Sequence, residues 1–142
     1  FATSDDLDLL LSDPYCSGES DGVVTATDGA LSNFTMNRSS FCYTIRFLNE
    51  YVFKREIFSL EEAIRKMTSL PADSAGLSKR GRVASGMAAD LVVLDPDKLS
   101  DKSTDNEPRA YPSGIEIVIV NGRLVLNNGQ RTENLPGRLA TQ

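Results

Sequence analysis

The chain has 142 residues, of which 40% are hydrophobic and 25% are charged, with 15 Lys and Arg against 20 Asp and Glu and no histidine. From length alone, one ordinary domain with its own hydrophobic core is expected. The net charge of −5 argues against nucleic acid as a partner, because binding to the phosphate backbone depends on clustered Lys and Arg. Without histidine, neither a Ser-His-Asp triad nor a histidine zinc site can be built from this chain alone.

The sequence also argues against a membrane partner. No apolar stretch approaches the roughly 18 residues of a membrane span, and no basic segment followed by an apolar one opens the chain. We therefore expect a cytoplasmic protein. Cys16 and Cys42 lie 26 positions apart, a spacing that suits neither a CxxC metal site nor a disulfide framework. We expect both to be buried thiols.

The first elements are a short helix and a strand. Ser4 is predicted to cap the helix, because its side chain can accept a hydrogen bond from a free backbone amide. The apolar stripe of this helix is predicted to comprise Leu7, Leu10 and Leu11. After a polar turn, the β-branched residues 23–27 predict a strand that ends at Asp28-Gly29.

Two further helices are predicted before residue 78. Apolar residues at steps of three and four predict a helix of about 14 residues, with a face formed by Phe41, Ile45, Phe47, Leu48, Tyr51 and Val52. Ser59 and Glu62 have the spacing of a capping box, so a second helix is expected to start there. Pro71 allows that helix one more turn at most, and Gly76 is the predicted left-handed cap.

From residue 81 onward the pattern indicates extended chain. Residues 91–94 and 115–120 are predicted strands, and Asn121-Gly122 favours a two-residue hairpin turn into a third strand at residues 123–126. A second tight turn is predicted at residues 127–129. Residues 95–114 are polar and contain three prolines, which predicts a long loop rather than a core element.

Asp28 is the residue that stands out as a candidate for chemistry. It follows a predicted strand, which is where barrel and open α/β enzymes carry catalytic groups, but an Asp-Gly pair in that position is usually only a turn. Asp90 also borders a strand, and we interpret it as a structural residue that binds local backbone amides. Arg38 and Arg46 could face a substrate carboxylate, although a surface ion pair is the simpler interpretation for Arg46.

Several segments resemble, in order, the C-terminal third of the N-acyl-D-amino-acid deacylases, which are D-aminoacylases of the metal-dependent amidohydrolase superfamily. These segments are Thr27-Asp28-Gly29, residues 58–72, Gly81-Arg82-Val83, residues 86–95, residues 111–115, residues 120–123 and Pro136-Gly137-Arg138. The segment at residues 58–72 is specific to these enzymes, whereas residues 86–95 follow a pattern found across amidohydrolases. Asn37-Arg38 stands where the family often has His-Pro.

The resemblance implies an α+β fragment that ends a (β/α)8 barrel and contributes strands to a small β-sandwich. Residues 1–78 would be the end of the barrel domain, with residues 23–27 as its eighth strand, and residues 79–142 the C-terminal part of the composite sandwich. The remainder of both domains, or another chain, would complete them.

The resemblance further implies a zinc-dependent hydrolase that cleaves the amide bond of N-acyl-D-amino acids. Asp28 matches the family's aspartate that contacts the metal-bound water and acts as general base, so the resemblance implies that Asp28 is both the catalytic residue and the metal-site residue of this chain. The other zinc ligands of the family are absent from this chain, so we expect no activity from the chain alone. The alternative is a non-catalytic β-rich binding or assembly module, or a catalytically dead amidohydrolase relative, which the absence of histidine motivates.

Overall fold

The computed structural model describes residues 3–33 and 37–140. The helices are α1 Ser4–Ser12, α2 Ser39–Phe47, α3 Leu60–Met67 and α4 Ser69–Ser74. The strands are β1 Leu91–Leu94, β2 Ile115–Val120, β3 Arg123–Asn127 and β4 Gln130–Arg131. Helices thus precede an antiparallel sheet, in agreement with the predicted α+β class. Within the described ranges, no helix is both long and apolar enough to cross a bilayer.

Helix α1 begins one residue earlier than predicted. Thr3, not Ser4, is the N-cap, because the Thr3 side chain accepts a hydrogen bond from the Asp6 amide while the Asp6 carboxylate accepts one from the Thr3 amide. This reciprocal pair satisfies two otherwise free amide donors. The predicted apolar stripe is only partly right: Leu11 is buried, whereas Leu7 and Leu10 are 43% and 58% exposed.

The strand predicted at residues 23–27 is not formed in this structure. The described residues form one sheet, of strands β1 to β4, and residues 23–27 are not among them. Val24 is 84% exposed. β-Branched residues favour extended backbone, but a strand exists only where a neighbour shares its hydrogen bonds. The amide of Val23 instead donates to the hydroxyl of Ser40, at 3.2 Å.

The predicted helix of about 14 residues is present, but only its first part, α2, is α-helical. It continues into a π-helical segment, Leu48–Lys54, in which the hydrogen bond from the Arg55 amide to the Glu50 carbonyl closes the wider turn. The apolar face of this long helix forms most of the core, together with residues from α1, α3 and the β1–β2 connection. The core comprises Leu11, Ile45, Phe47, Leu48, Val52, Ala63 and Leu99.

Helix α3 has the predicted cap, although only half of the capping box forms. The Ser59 hydroxyl accepts a hydrogen bond from the Glu62 amide, while the Glu62 carboxylate turns to Arg65 at 2.7 Å instead of reaching back. Gly76 adopts a φ of 70°, as predicted for a left-handed cap. The Leu77 amide bonds to the Ala72 carbonyl and the Gly76 amide to that of Asp73, which is the Schellman arrangement.

The sheet has the order β1-β2-β3-β4, with every neighbouring pair antiparallel. Both central residues of the predicted Asn121-Gly122 turn have positive φ angles, 48° and 75°, which a two-residue hairpin turn between right-twisted strands requires. Asn128-Gly129 repeats this geometry between β3 and β4, at 48° and 77°. Both predicted turns are confirmed.

The connection from β1 to β2 is a loop, as predicted, but it takes part in the core. Residues 95–114 contain only a short 3₁₀ turn, Pro96–Lys98, and a single bridge between Ser100 and Ser113. Leu99 is 9% exposed and packs in the core, and Ser103 is 3% exposed. The prediction that this segment contributes nothing to the core is therefore wrong, because the loop folds back onto α2. We call residues 95–114 the docked loop.

Candidate functional site

Asp28 lies in a small, closed turn formed by residues 25–32, which we call the Asp28 turn. The Thr25 hydroxyl donates to the Leu31 carbonyl at 3.1 Å, and the Ser32 hydroxyl donates to the Gly29 carbonyl at 2.7 Å. Gly29 begins a one-turn 3₁₀ segment, Gly29–Leu31, with a φ of 71°. Glycine adopts that backbone conformation without the steric strain that a Cβ causes. These bonds hold the backbone on both sides of Asp28.

The Asp28 carboxylate itself is left open to solvent. Asp28 is exposed and precedes the 3₁₀ segment, but its side chain makes no capping hydrogen bond to it. Across residues 3–33 and 37–140, no group of three or more His, Cys, Asp or Glu side chains could hold a metal ion. A structural or catalytic zinc site needs three or four such ligands, so the described residues do not form one by themselves.

Arg38 and Arg46, the candidates for binding a substrate carboxylate, both face Asp101 of the docked loop. Arg38 donates to the Asp101 carboxylate at 2.6 Å, and Arg46 lies 3.5 Å from the same oxygen. The side chain of Arg46 is 46% exposed, so its predicted surface ion pair is confirmed. The guanidinium of Arg38 is already occupied by groups of this chain.

A cavity of about 520 Å³ lies between α1 and α2, and Asp28 does not line it. Its walls include Leu11, Arg38, Tyr43 and Phe47. The hydroxyl of Tyr43 is buried without a hydrogen-bond partner among the described residues, and burial raises the pKa of Tyr43 to about 12. None of the residues that line this cavity belongs to the Asp28 turn, so the cavity is separate from that turn.

Asp90 has the structural role predicted for it. One oxygen of its carboxylate accepts a hydrogen bond from the Asn121 amide at 2.7 Å, and the other pairs with Arg80. Arg80 also donates to the Asn121 side chain at 2.8 Å. The carboxylate thus fixes the β2–β3 turn to the chain before β1, and both its oxygens are occupied. We call Arg80, Asp90 and Asn121 the Asp90 corner.

Lys66 is a buried residue that the sequence pattern did not single out. Its side chain is 1% exposed, and its ammonium donates to the carbonyls of Asp13 at 2.6 Å and Cys16 at 3.0 Å. The carbonyl of Lys66 in turn accepts from the Gly18 amide at 3.1 Å. Lys66 thereby attaches residues 13–18, which lead to the Asp28 turn, to α3. In the sequence, the one signal for this buried role is a lysine on the apolar side of a predicted helix.

Comparison with known proteins relates the chain to amide-hydrolysing enzymes. A curated N-acyl-D-glutamate deacylase of Alcaligenes xylosoxydans xylosoxydans is 44% identical over 94 residues, which are 66% of this chain and 19% of that enzyme.

Solved structures give the same result. A crystal structure of D-aminoacylase superposes with a TM-score of 0.80 at 31% identity, covering 93% of this chain and 26% of that one. An N-acyl-D-glutamate deacylase from Bordetella bronchiseptica, complexed with zinc and a phosphonate that mimics the tetrahedral intermediate, superposes with a TM-score of 0.72 at 34% identity. That match covers 87% of this chain and 24% of the other.

The resemblance proposed from the residues is therefore confirmed. The chain spans between 19% and 26% of the length of these relatives. The sequence profile described as the amidohydrolase family matches residues 2–126, well over half of the chain, and this chain belongs to the amidohydrolase family.

Proposed function

We propose that the gene product containing these 142 residues hydrolyses the amide bond of N-acyl-D-amino acids, and that this chain supplies the general base, Asp28. The observation that carries the proposal is the 44% identity to an N-acyl-D-glutamate deacylase, combined with an exposed Asp28 carboxylate that makes no capping hydrogen bond to the 3₁₀ segment after it. The substrate is a small N-acyl amino acid.

The proposed architecture assigns residues 1–78 to the end of a (β/α)8 barrel and residues 79–142 to a share of a β-sandwich. The helices α1 to α4 lie before residue 78 and the sheet lies after it, which supports this division. Residues 23–27 belong to no strand of the described sheet, and Val24 is 84% exposed. In the proposed enzyme, this segment would be a barrel strand whose neighbours come from the remainder of the enzyme or from another chain.

Zinc is the proposed metal, because the Bordetella bronchiseptica relative was solved with it. The residues described here do not fit a complete zinc site, since they bring no ligand cluster together and the chain has no histidine. The remaining ligands would come from outside this chain. When bound, the metal would polarise the scissile carbonyl.

The part of the reaction that this chain can perform is proton transfer. A carboxylate near the attacking water takes a proton from it as the carbon–oxygen bond forms, and returns that proton to the amine nitrogen as the carbon–nitrogen bond breaks. Asp28 suits this role because its carboxylate is exposed on a turn whose backbone is fixed at Thr25, Gly29 and Ser32.

A non-catalytic binding or assembly module is the second candidate. The absence of a metal-binding cluster across the described ranges is the observation that favours it. This module would keep the fold and the Asp90 corner while binding no metal.

The test is hydrolysis of N-acetyl-D-glutamate by the purified gene product, measured as the release of the free amine. We expect turnover of the D substrate, little with N-acetyl-L-glutamate, loss of activity with a chelator and recovery with added zinc. The 142-residue chain alone should show no turnover. Failure of the zinc-loaded gene product to hydrolyse a panel of N-acyl-D-amino acids would contradict the proposal and favour the binding module.

A further inference from the structure

The docked loop, residues 95–114, joins two adjacent strands but makes its polar contacts mainly with α2 and with the Asp28 turn. Arg38 donates to the Asp101 carboxylate at 2.6 Å, to the Ser103 carbonyl at 2.8 Å and to the Ser103 hydroxyl at 3.2 Å. The other oxygen of Asp101 accepts from the Ser103 amide at 2.8 Å and from its hydroxyl at 2.6 Å. Asp101 therefore organises the loop and fastens it to α2 at the same time.

The Asp101 carboxylate is suited to hold this contact at neutral pH. Its side chain is 11% exposed. Burial by itself raises the pKa of Asp101, but hydrogen bonds from Ser103, Cys42 and Arg38 outweigh it and lower the pKa to about 2. The carboxylate is thus charged at neutral pH, and charge-assisted hydrogen bonds to an arginine are among the stronger polar contacts in proteins.

Two further contacts seal the loop against α2. The Cys42 thiol, which is fully buried, lies 3.1 Å from the Ala110 carbonyl. The rings of Phe41 and Tyr111 meet edge to face, with centroids 5.4 Å apart and an interplanar angle of 67°. The loop therefore covers the side of α2 on which Cys42 lies, and Cys42 becomes accessible only if the loop opens.

The same loop reaches the Asp28 turn directly. The guanidinium of Arg109 donates to the carbonyl of Ser32, the residue that closes the turn onto Gly29. On the other side of the turn, the Val23 amide is held by Ser40 of α2. The backbone that carries Asp28 is thus fixed at one end to α2 and at the other to a loop that Asp101 fastens to α2.

We propose that the docked loop sets the position of the Asp28 turn, with Asp101 as the positioning residue that keeps the loop closed. This inference rests on the proposed function for its catalytic consequence. Asp101 touches neither substrate nor reacting atoms; it acts through Arg38, the loop and Ser32. The sheet-bearing half of the chain thereby determines the geometry of the proposed general base in the helical half.

The first experiment measures loop opening through Cys42. The gene product and its Asp101→Asn variant are labelled with N-ethylmaleimide, and modification of Cys42 and Cys16 is followed by mass spectrometry. Loss of the ion pair should speed labelling of Cys42 at least about tenfold, because the open state becomes more populated, while Cys16 should change little. Asp105→Asn is the matched control, since Asp105 lies 3.5 Å from Arg38 but is 90% exposed; it should leave labelling of Cys42 unchanged.

The second experiment measures the consequence for the Asp28 turn. In Asp101→Asn, hydrogen exchange of residues 25–32 should accelerate, and kcat should fall about tenfold with KM changed less than about twofold, because the general base is displaced while substrate binding is kept. Asp101→Glu should restore much of both, and Asp105→Asn should behave as the native protein.

These results test the positioning role of Asp101 and the docked loop separately from the proposed function. Unchanged labelling of Cys42 in Asp101→Asn would show that Asp101 does not hold the loop. Faster labelling with unchanged exchange at residues 25–32 would show that the loop does not position the turn. If the native gene product has no deacylase activity, the proposed function fails, whereas labelling and exchange still confirm or overturn the positioning.

Discussion

The Asp28 turn and the Asp90 corner each contain an aspartate in a similar sequence context, but the surroundings of the two carboxylates differ. Each aspartate borders a run of β-branched or aliphatic residues. At the Asp90 corner both carboxylate oxygens are occupied, one by the Asn121 amide and one by Arg80. At the Asp28 turn the backbone is fixed by Thr25 and Ser32, but the carboxylate is exposed. The comparison teaches that the local donors, more than the position beside a strand, separate a structural carboxylate from one available for chemistry.

In the sheet-bearing half, the substitution with the largest effect on stability should be at Gly114, the last residue of the docked loop. Gly114 has a φ of 85°, and a Cβ there would lie 2.6 Å from the Leu99 amide nitrogen and 2.7 Å from the Leu99 Cα. Gly114→Ala should therefore lower the free energy of unfolding by more than about 3 kcal/mol, because backbone must move. Gly86→Ala is the control, with a φ of 83° but no atom within 4 Å. Equal losses in urea titrations would contradict the role of the contact with Leu99.

A substitution at Lys66 tests how much its buried ammonium, which holds the segment before the Asp28 turn, contributes to the stability of the fold. Lys66→Ala removes two hydrogen bonds to the carbonyls of Asp13 and Cys16 and leaves a cavity, for an expected loss of about 3 kcal/mol. Lys54→Ala changes the same residue type at a side chain that is 74% exposed and should cost less than about 0.5 kcal/mol. The urea midpoints of the two variants measure the difference between their losses of stability. Equal losses would contradict the structural role of the buried ammonium.

Acid should weaken the fastening of the docked loop within a defined range. The pKa of Asp101 is lowered from 3.8 to about 2 in the folded chain. Its ionised form therefore stabilises the fold above the unfolded-state pKa, and that contribution, about 2 kcal/mol, disappears as the pH falls through the folded-state value. Urea midpoints at about pH 5 and about pH 2 should differ less in Asp101→Asn than in the native protein. Identical pH dependence in both would rule out this contribution.

The Asp90 corner should show a smaller effect on stability. Asp90→Asn keeps an acceptor for the Asn121 amide but removes the charge opposite Arg80, at a site where both side chains are about one third exposed. We expect a loss of about 1 kcal/mol, measured as a lower melting temperature. A loss as large as that of Gly114→Ala would mean that the corner contributes more to the fold than its contacts indicate.

Local chemistry made much of this fold predictable. The Asn-Gly pairs at residues 121–122 and 128–129 determined two hairpin turns, because few residues other than asparagine and glycine accept positive φ angles. Ser59 and Gly76 likewise predicted where a helix begins and where its left-handed cap lies, although the structure divides that helix into α3 and α4. Each of these signals depends on a few consecutive residues, so one sequence is enough to read it.

Features that depend on distant partners were not predictable in this way. Arg38 meets Asp101 63 positions along the chain, and Lys66 meets Asp13 at a separation of 53; neither pattern shows in the sequence. The β-branched run at residues 23–27 has strand propensity, but it belongs to no strand of the described sheet, because strand formation depends on a distant partner as well as on local propensity. For the candidate site, the sequence predicted Asp28 and the structural use of Asp90, whereas the docked loop emerged only from the structure.

The measurement that tests the central claim most directly is kcat for hydrolysis of N-acetyl-D-glutamate by Asp28→Asn and Asp90→Asn forms of the same zinc-loaded gene product. Loss of a general base lowers the rate by about 10² to 10⁴, so Asp28→Asn should fall by at least a hundredfold with its melting temperature unchanged. Asp90→Asn should keep kcat within about twofold while melting at a lower temperature. An Asp28→Asn variant with native kcat would contradict the account.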